Sequence, residues 1–126
     1  LPDDRRVFVS QGDVRKLQLA KGAVRTGIET LLEVTGVTKD RLDAVRLAGN
    51  FGAGLDARAA MRIGLIPELD PARVEVVGNA ALRGAVLVLL SRGYGRMAER
   101  AARAARFVEL GGRPEFQMRF ADAMMF

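Results

Sequence analysis

Apolar residues recur at Val14, Leu17, Ala20, Val24, Ile28, Leu31 and Leu32, the spacing of one face of an α-helix. The pattern predicts a helix from about Asp13 to Val34, capped by Ser10 or Asp13 and stopped at Gly36. Further on the apolar runs shorten. Asp43 to Leu47 and Arg73 to Val77 read as strands, and Val7-Phe8-Val9 and Phe107-Val108-Glu109-Leu110 as two more. Between them, Thr38 to Leu42 opens a short helical turn. Asp56 can cap a helix through Arg62 that Gly64 stops. Pro67 and Pro71 bracket a loop, where Asp70-Pro71 favours a turn. Apolar helix Ala80–Leu90 comes next, then Tyr94–Ala105, and Pro114 starts a terminal helix. Strands alternating with helices predict an α/β domain, a small sheet covered by helices, with Asp13–Val34 and Ala80–Leu90 as covering layers.

Glycines gather where predicted strand meets predicted helix. Gly49-Asn50-Phe51-Gly52-Ala53-Gly54 follows the Asp43–Leu47 strand, and Gly78-Asn79 follows Arg73–Val77. Such turns let the backbone bend sharply and approach a neighbour, and the N–H groups that open a helix suit a polar ligand. The first turn lacks the Gly-Lys-Ser/Thr of a P-loop. Its Gly-x-x-Gly-x-Gly spacing also lacks the acidic residue about twenty positions on that marks a dinucleotide site. A structural turn and a ligand-binding turn both satisfy this spacing. Gly22 and Gly27 lie inside the first helix, each costing about 1 kcal/mol relative to Ala, and so point to a close neighbour: another helix or a ligand.

Composition narrows the chemistry. The 126 residues contain no cysteine and no histidine, which removes disulfides, thiolate chemistry, Cys/His zinc sites and histidine triads from this chain. Asp13, Asp40, Asp43, Asp56 and Asp70 fall at cap or turn positions, so no carboxylate pair reads as a general acid/base dyad. The longest apolar run, Ala85 to Leu90, is too short to cross a bilayer, and charges at Asp3 to Arg6 argue against a signal peptide. A cytoplasmic protein without a membrane partner is expected. The sequence opens Leu-Pro without an initiator Met, which suggests a fragment of a longer protein.

The net charge of +5 is concentrated between Arg92 and Arg106, where five arginines meet one glutamate. A solvated helix face explains this stripe, and nucleic acid, an acidic protein or an anionic lipid surface is the alternative. Aromatic residues beside it are limited to Tyr94 and Phe107, and no nucleic-acid motif accompanies them, so nucleic acid is not expected as a partner. Lys21 and Arg25 lie one turn apart on the first helix, with Gly22 between them and Gln18 at the edge. That patch can border an adenine ring or a ribose. Spacing alone equally fits the solvent edge of an amphipathic helix, and favours it.

Several blocks occur in order: Gln18–Ile28, Leu47–Gly52, Arg62–Pro67, Val77–Ala81, Glu109-Leu110 and Pro114-Glu115-Phe116. Together they resemble the C-terminal domain of the reductive activators of corrinoid proteins. These are ferredoxin-like proteins whose C-terminal region belongs to the acetate and sugar kinase/heat-shock chaperone/actin (ASKHA) superfamily. The resemblance covers nearly the whole chain and implies a ribonuclease-H-like subdomain, residues 1–126 forming a single unit.

The resemblance further implies an ATP site between two lobes, with Mg bound in the parent protein. Leu47–Gly52 would be the adenosine motif, so that Gly49, Asn50, Phe51 and Gly52 approach the nucleoside. Lys21 and Arg25 would border base and ribose, and Gly78 and Asn79 would support the pocket from the neighbouring strand. The phosphate motifs and the cysteines of a [2Fe–2S] cluster would lie upstream of Leu1. The parent would use ATP to drive electrons from that cluster to an inactive Co(II) corrinoid protein, its partner. This chain alone would not be catalytic. A non-catalytic module for homodimerisation or partner docking, using the arginine stripe and the Met124-Met125-Phe126 end, is the alternative.

Overall fold

A computed structural model describes residues 8–126. The first helix, α1, runs from Gln11 to Thr35. Ser10 caps it by accepting from the Asp13 N–H, while the Asp13 carboxylate accepts from the Ser10 N–H, a reciprocal capping box. A hydrogen bond from the Ser10 hydroxyl, and then the one from its N–H, hold the Asp13 carboxyl below the usual carboxylate range. Gly36 closes the helix in the left-handed conformation, φ 65°.

Strands β1 (Val45–Ala48) and β2 (Val74–Gly78) form a two-stranded parallel sheet. Val45 pairs with Val74 and Leu47 with Val76, after which the register slips by one so that Ala48 faces Gly78. Side chains alternate across the sheet. Leu47 and Val74 turn into the core, and on the opposite face Arg46 and Glu75 form an ion pair at 2.8 Å. Between the strands lie α2 (Gly49–Ala53) and α3 (Ala57–Arg62). Asp56 caps α3, its carboxylate accepting from the Ala59 N–H at 2.7 Å. The core sits here: Ala60, Leu65 and Ile66 are buried, packed by Ile28, Leu47, Leu55, Met61, Ile63 and Val74.

After β2 come α4 (Ala80–Leu90), α5 (Arg92–Ala104) and α6 (Pro114–Met124). Ser91 ends α4 and begins α5, its hydroxyl accepting from the Gly93 N–H. Helix α6 lies along α1, and Gly22 makes this possible. A Cβ there would meet Met124 Cγ at 2.9 Å and the Phe120 ring and carbonyl at 3.3 Å. The interior glycine therefore admits a helix. On the outside of this pair, Arg119 of α6 reaches Glu33 of α1 at 2.5 Å.

Among the described residues two expected strands are not formed. Phe8 and Val9 pair with no strand and are well exposed, and Val7 lies outside the described residues. Phe107–Leu110 is irregular, and Phe107 is 91% exposed. Neither segment lies against a strand with which to share a ladder of hydrogen bonds, and an apolar run without one gains nothing by becoming a strand. The Gly49–Gly54 stretch, expected as a turn, is a short helix, α2, closed at Gly54.

Candidate functional site

The two Gly-Asn turns meet at the carboxyl ends of adjacent parallel strands. Gly49 has φ 84° and Gly78 φ 65°, both in the left-handed region that a side chain resists. A Cβ at either glycine would find nothing within 4 Å. These glycines are thus required by backbone conformation, and the space beside them is open. Gly52 differs. It is buried, and a Cβ there would lie 3.1 Å from the Leu47 carbonyl carbon, so its bareness lets α2 fold back onto β1.

The two asparagines also divide. Asn79 caps α4, its carboxamide oxygen accepting from the Leu82 N–H at 3.0 Å. Asn50 and Phe51 are exposed on α2, Phe51 at 75%. With five residues, α2 has too short a dipole to hold a phosphate by itself.

Lys21 and Arg25 occupy a second place. They line a groove of about 410 Å³ with Glu29, Arg62, Gly64, Arg119, Asp122, Met125 and Phe126. Among its lining there is no residue of the two strand-end turns. The expected site residues therefore fall into two clusters, one at the strand ends and one between α1, the end of α3 and α6.

Inside the groove Lys21 is 3% exposed, against the solvent-facing edge that its spacing favours. Its ammonium donates to the Met125 carbonyl and lies 5.0 Å from the centre of the Phe126 ring. Burial, then the nearby Arg25 cation, lowers its pKa from the ordinary lysine value. Arg25 pairs with Glu29 one turn on. Gly64, left-handed at φ 75°, turns the chain after α3 so closely that a Cβ would sit 3.7 Å from Lys21 Nζ and 4.0 Å from Arg25 Nη1. Gly64, Arg119, Met125 and Phe126 are absent from the sequence-based site. Gly64 reads there only as a helix stop, and no local pattern brings α6 onto Lys21.

A family profile described as the C-terminal domain of RACo, the ASKHA domain, matches residues 2–126. The chain belongs to that family. As a RACo-type ASKHA domain it is 34% identical over 125 residues to a corrinoid activation enzyme, RamQ, of Eubacterium limosum, covering 99% of this chain and 21% of that protein. Its fold is similar to that of a solved reductive activator for corrinoid, iron–sulfur protein, with a TM-score of 0.85 and 33% identity. That likeness covers 92% of this chain and 18% of the other. The chain thus spans about a fifth of the length of these relatives. The ASKHA assignment agrees with the resemblance drawn from the ordered blocks, and the α/β class with a small parallel sheet agrees with the fold.

Among the described residues no helix is long and apolar enough to cross a membrane, and no three acidic or histidine side chains cluster as metal ligands. The chain has no cysteine with which to hold an iron–sulfur cluster. Nucleoside chemistry fits better: open left-handed glycines at strand ends and a groove with cations. Among the described residues no carboxylate cluster is present to hold Mg.

Proposed function

We propose that this domain supplies the nucleoside-binding half of an ATP site in a corrinoid reductive activator. The pairing of Gly49-Asn50 with Gly78-Asn79 at the carboxyl ends of neighbouring parallel strands carries this reading. In open α/β sheets ligands settle at that edge, and left-handed glycines leave backbone unshielded there. Gly49, Asn50, Phe51 and Gly52 would approach the nucleoside, with Gly78 and Asn79 beside them. Lys21 and Arg25 would border base and ribose. Phosphates, Mg and the [2Fe–2S] cluster would be held by other parts of a longer cytoplasmic polypeptide, of which residues 1–126 form one C-terminal subdomain.

In that polypeptide ATP binding would bias the conformation of the complex with a corrinoid protein, so that an electron reaches the Co(II) centre. Calorimetric titration of the complete polypeptide with ATP tests the site. Gly49→Val and Asn50→Ala should weaken binding, and unchanged affinity in both rejects the assignment.

A second reading, as a dimerisation or docking module, is favoured by α4. Its Gly84, Leu87 and Val88 face α5, while Leu82, Leu89 and Leu90 on other sides are 60%, 85% and 79% exposed. Apart from Arg83 and Gly84 the helix is apolar, and a helix of that kind is ordinarily a buried one. The arginine stripe contributes less, since Arg92, Arg96, Arg100 and Arg103 are all exposed, while Tyr94, Met97, Ala98 and Ala101 face α4. Phe126 lies over Lys21 and is only partly available to a partner. Light scattering of the complete polypeptide with Leu89→Glu distinguishes this reading, which requires loss of self-association or of corrinoid-protein binding.

A further inference from the structure

Lysine is almost never fully buried without a partner, yet Lys21 is covered, and what covers it is the chain's own Met125-Phe126. Helix α6 ends at Met124, and Met125 continues as extended backbone, φ −71° and ψ 144°. This turns the Met125 carbonyl onto the Lys21 ammonium and places the Phe126 ring over the same cation. An aromatic face and a hydrogen-bond acceptor are also what a purine base offers to a cation. The covering residues keep an outer side to solvent, Met125 being 70% and Phe126 66% exposed.

We propose that Met125-Phe126 is an internal strap occupying the purine position beside Lys21 and Arg25, which a nucleotide must displace in order to bind. The proposal rests on the reading of this groove as the base-bordering side of the site. While the strap is seated, Lys21 is spent on it, Arg25 on Glu29 and Arg119 on Glu33. The seated strap thus occupies Lys21, which lowers apparent affinity by the fraction of molecules with the strap open.

The test uses ADP and the complete polypeptide, comparing wild type with Phe126→Ala, Phe126→Leu and Lys21→Met. Calorimetry should show ADP binding at least about threefold tighter in Phe126→Ala, with Phe126→Leu in between. Hydrogen exchange of the peptide spanning Met125-Phe126 should accelerate when ADP binds the wild type. Equal affinity in wild type and both Phe126 variants, or protection of that peptide by ADP, overturns the strap. The groove reading survives that result if Lys21→Met weakens ADP binding. If Lys21→Met leaves ADP affinity unchanged, or if ADP does not bind, the groove reading fails and the strap with it.

Discussion

Gly22 and Met124 are packed so closely that a methyl group on the glycine would lie 2.9 Å from Met124 Cγ. Gly27, five residues along the same helix, has Leu110 Cδ1 at an ordinary 3.6 Å as its nearest neighbour. Both glycines forgo about 1 kcal/mol of helix propensity, and only Gly22 has a reason for it. Gly27→Ala should therefore stabilise the domain by ~0.5–1 kcal/mol. In Gly22→Ala that gain is opposed by overpacking against Met124 and the Phe120 carbonyl, of order 1–3 kcal/mol. Urea unfolding of the two variants measures the difference, and equal stabilisation would show that α6 yields freely.

Asn79 belongs to the expected site and also caps α4. Asn79→Ala should cost about 1 kcal/mol by removing the bond to the Leu82 N–H. Asn50→Ala, on an exposed side chain, should leave stability within about 0.5 kcal/mol of wild type. Nucleotide affinity measured on both variants must be corrected for this difference before Asn79 is credited with a ligand contact. Thermal melts of the pair supply the correction.

Gly64→Ala forces a side chain into φ 75°, at a cost of about 1–2 kcal/mol, and seats its Cβ against Lys21 and Arg25. Gly64→Asn should cost less, because Asn tolerates the left-handed region. If the two variants melt alike, conformational strain is not the governing effect.

Glu33 and Arg119 join α1 to α6 at the surface. The hydrogen bond from Arg119, and then its charge, hold the Glu33 carboxyl below its ordinary range, and Glu33 correspondingly raises Arg119. A carboxyl with a depressed folded pKa contributes stability above its unfolded value and loses it as pH falls through the folded value. Acidification through and below the ordinary carboxylate range should therefore loosen the pair. Both groups are substantially exposed, so the effect should be small and weakened by salt. Melting curves of wild type and Glu33→Gln from pH 7 to pH 3 should converge, and parallel curves would count against the pair.

Local patterns in the sequence reach as far as local causes do. The periodicity of Val14 to Leu32 locates α1 to within two residues at its start and one at its end, because caps and amphipathic spacing are written nearby. Asp56, Gly36 and Gly64 mark their helix ends for the same reason. Strand formation is not local. The Asp43–Leu47 and Arg73–Val77 segments find one another, whereas Phe107–Leu110 has the composition of a strand and no neighbour. Helix α5 begins two residues before Tyr94 because Ser91 serves as a cap, although Gly93 argues against a helical start. Lys21 is the clearest limit. Its burial depends on residues 104 positions away, delivered by a glycine whose packing partner is not written in α1.

The slip in register between β1 and β2 has a consequence for anything that rests on the sheet's end. Because Ala48 faces Gly78 and not Val77, the two left-handed kinks leave the sheet out of phase by one residue, about 3.3 Å of strand. The carboxyl edge is therefore a stair and not a shelf. A flat ring laid across it would meet one tread before the other and would come to rest tilted.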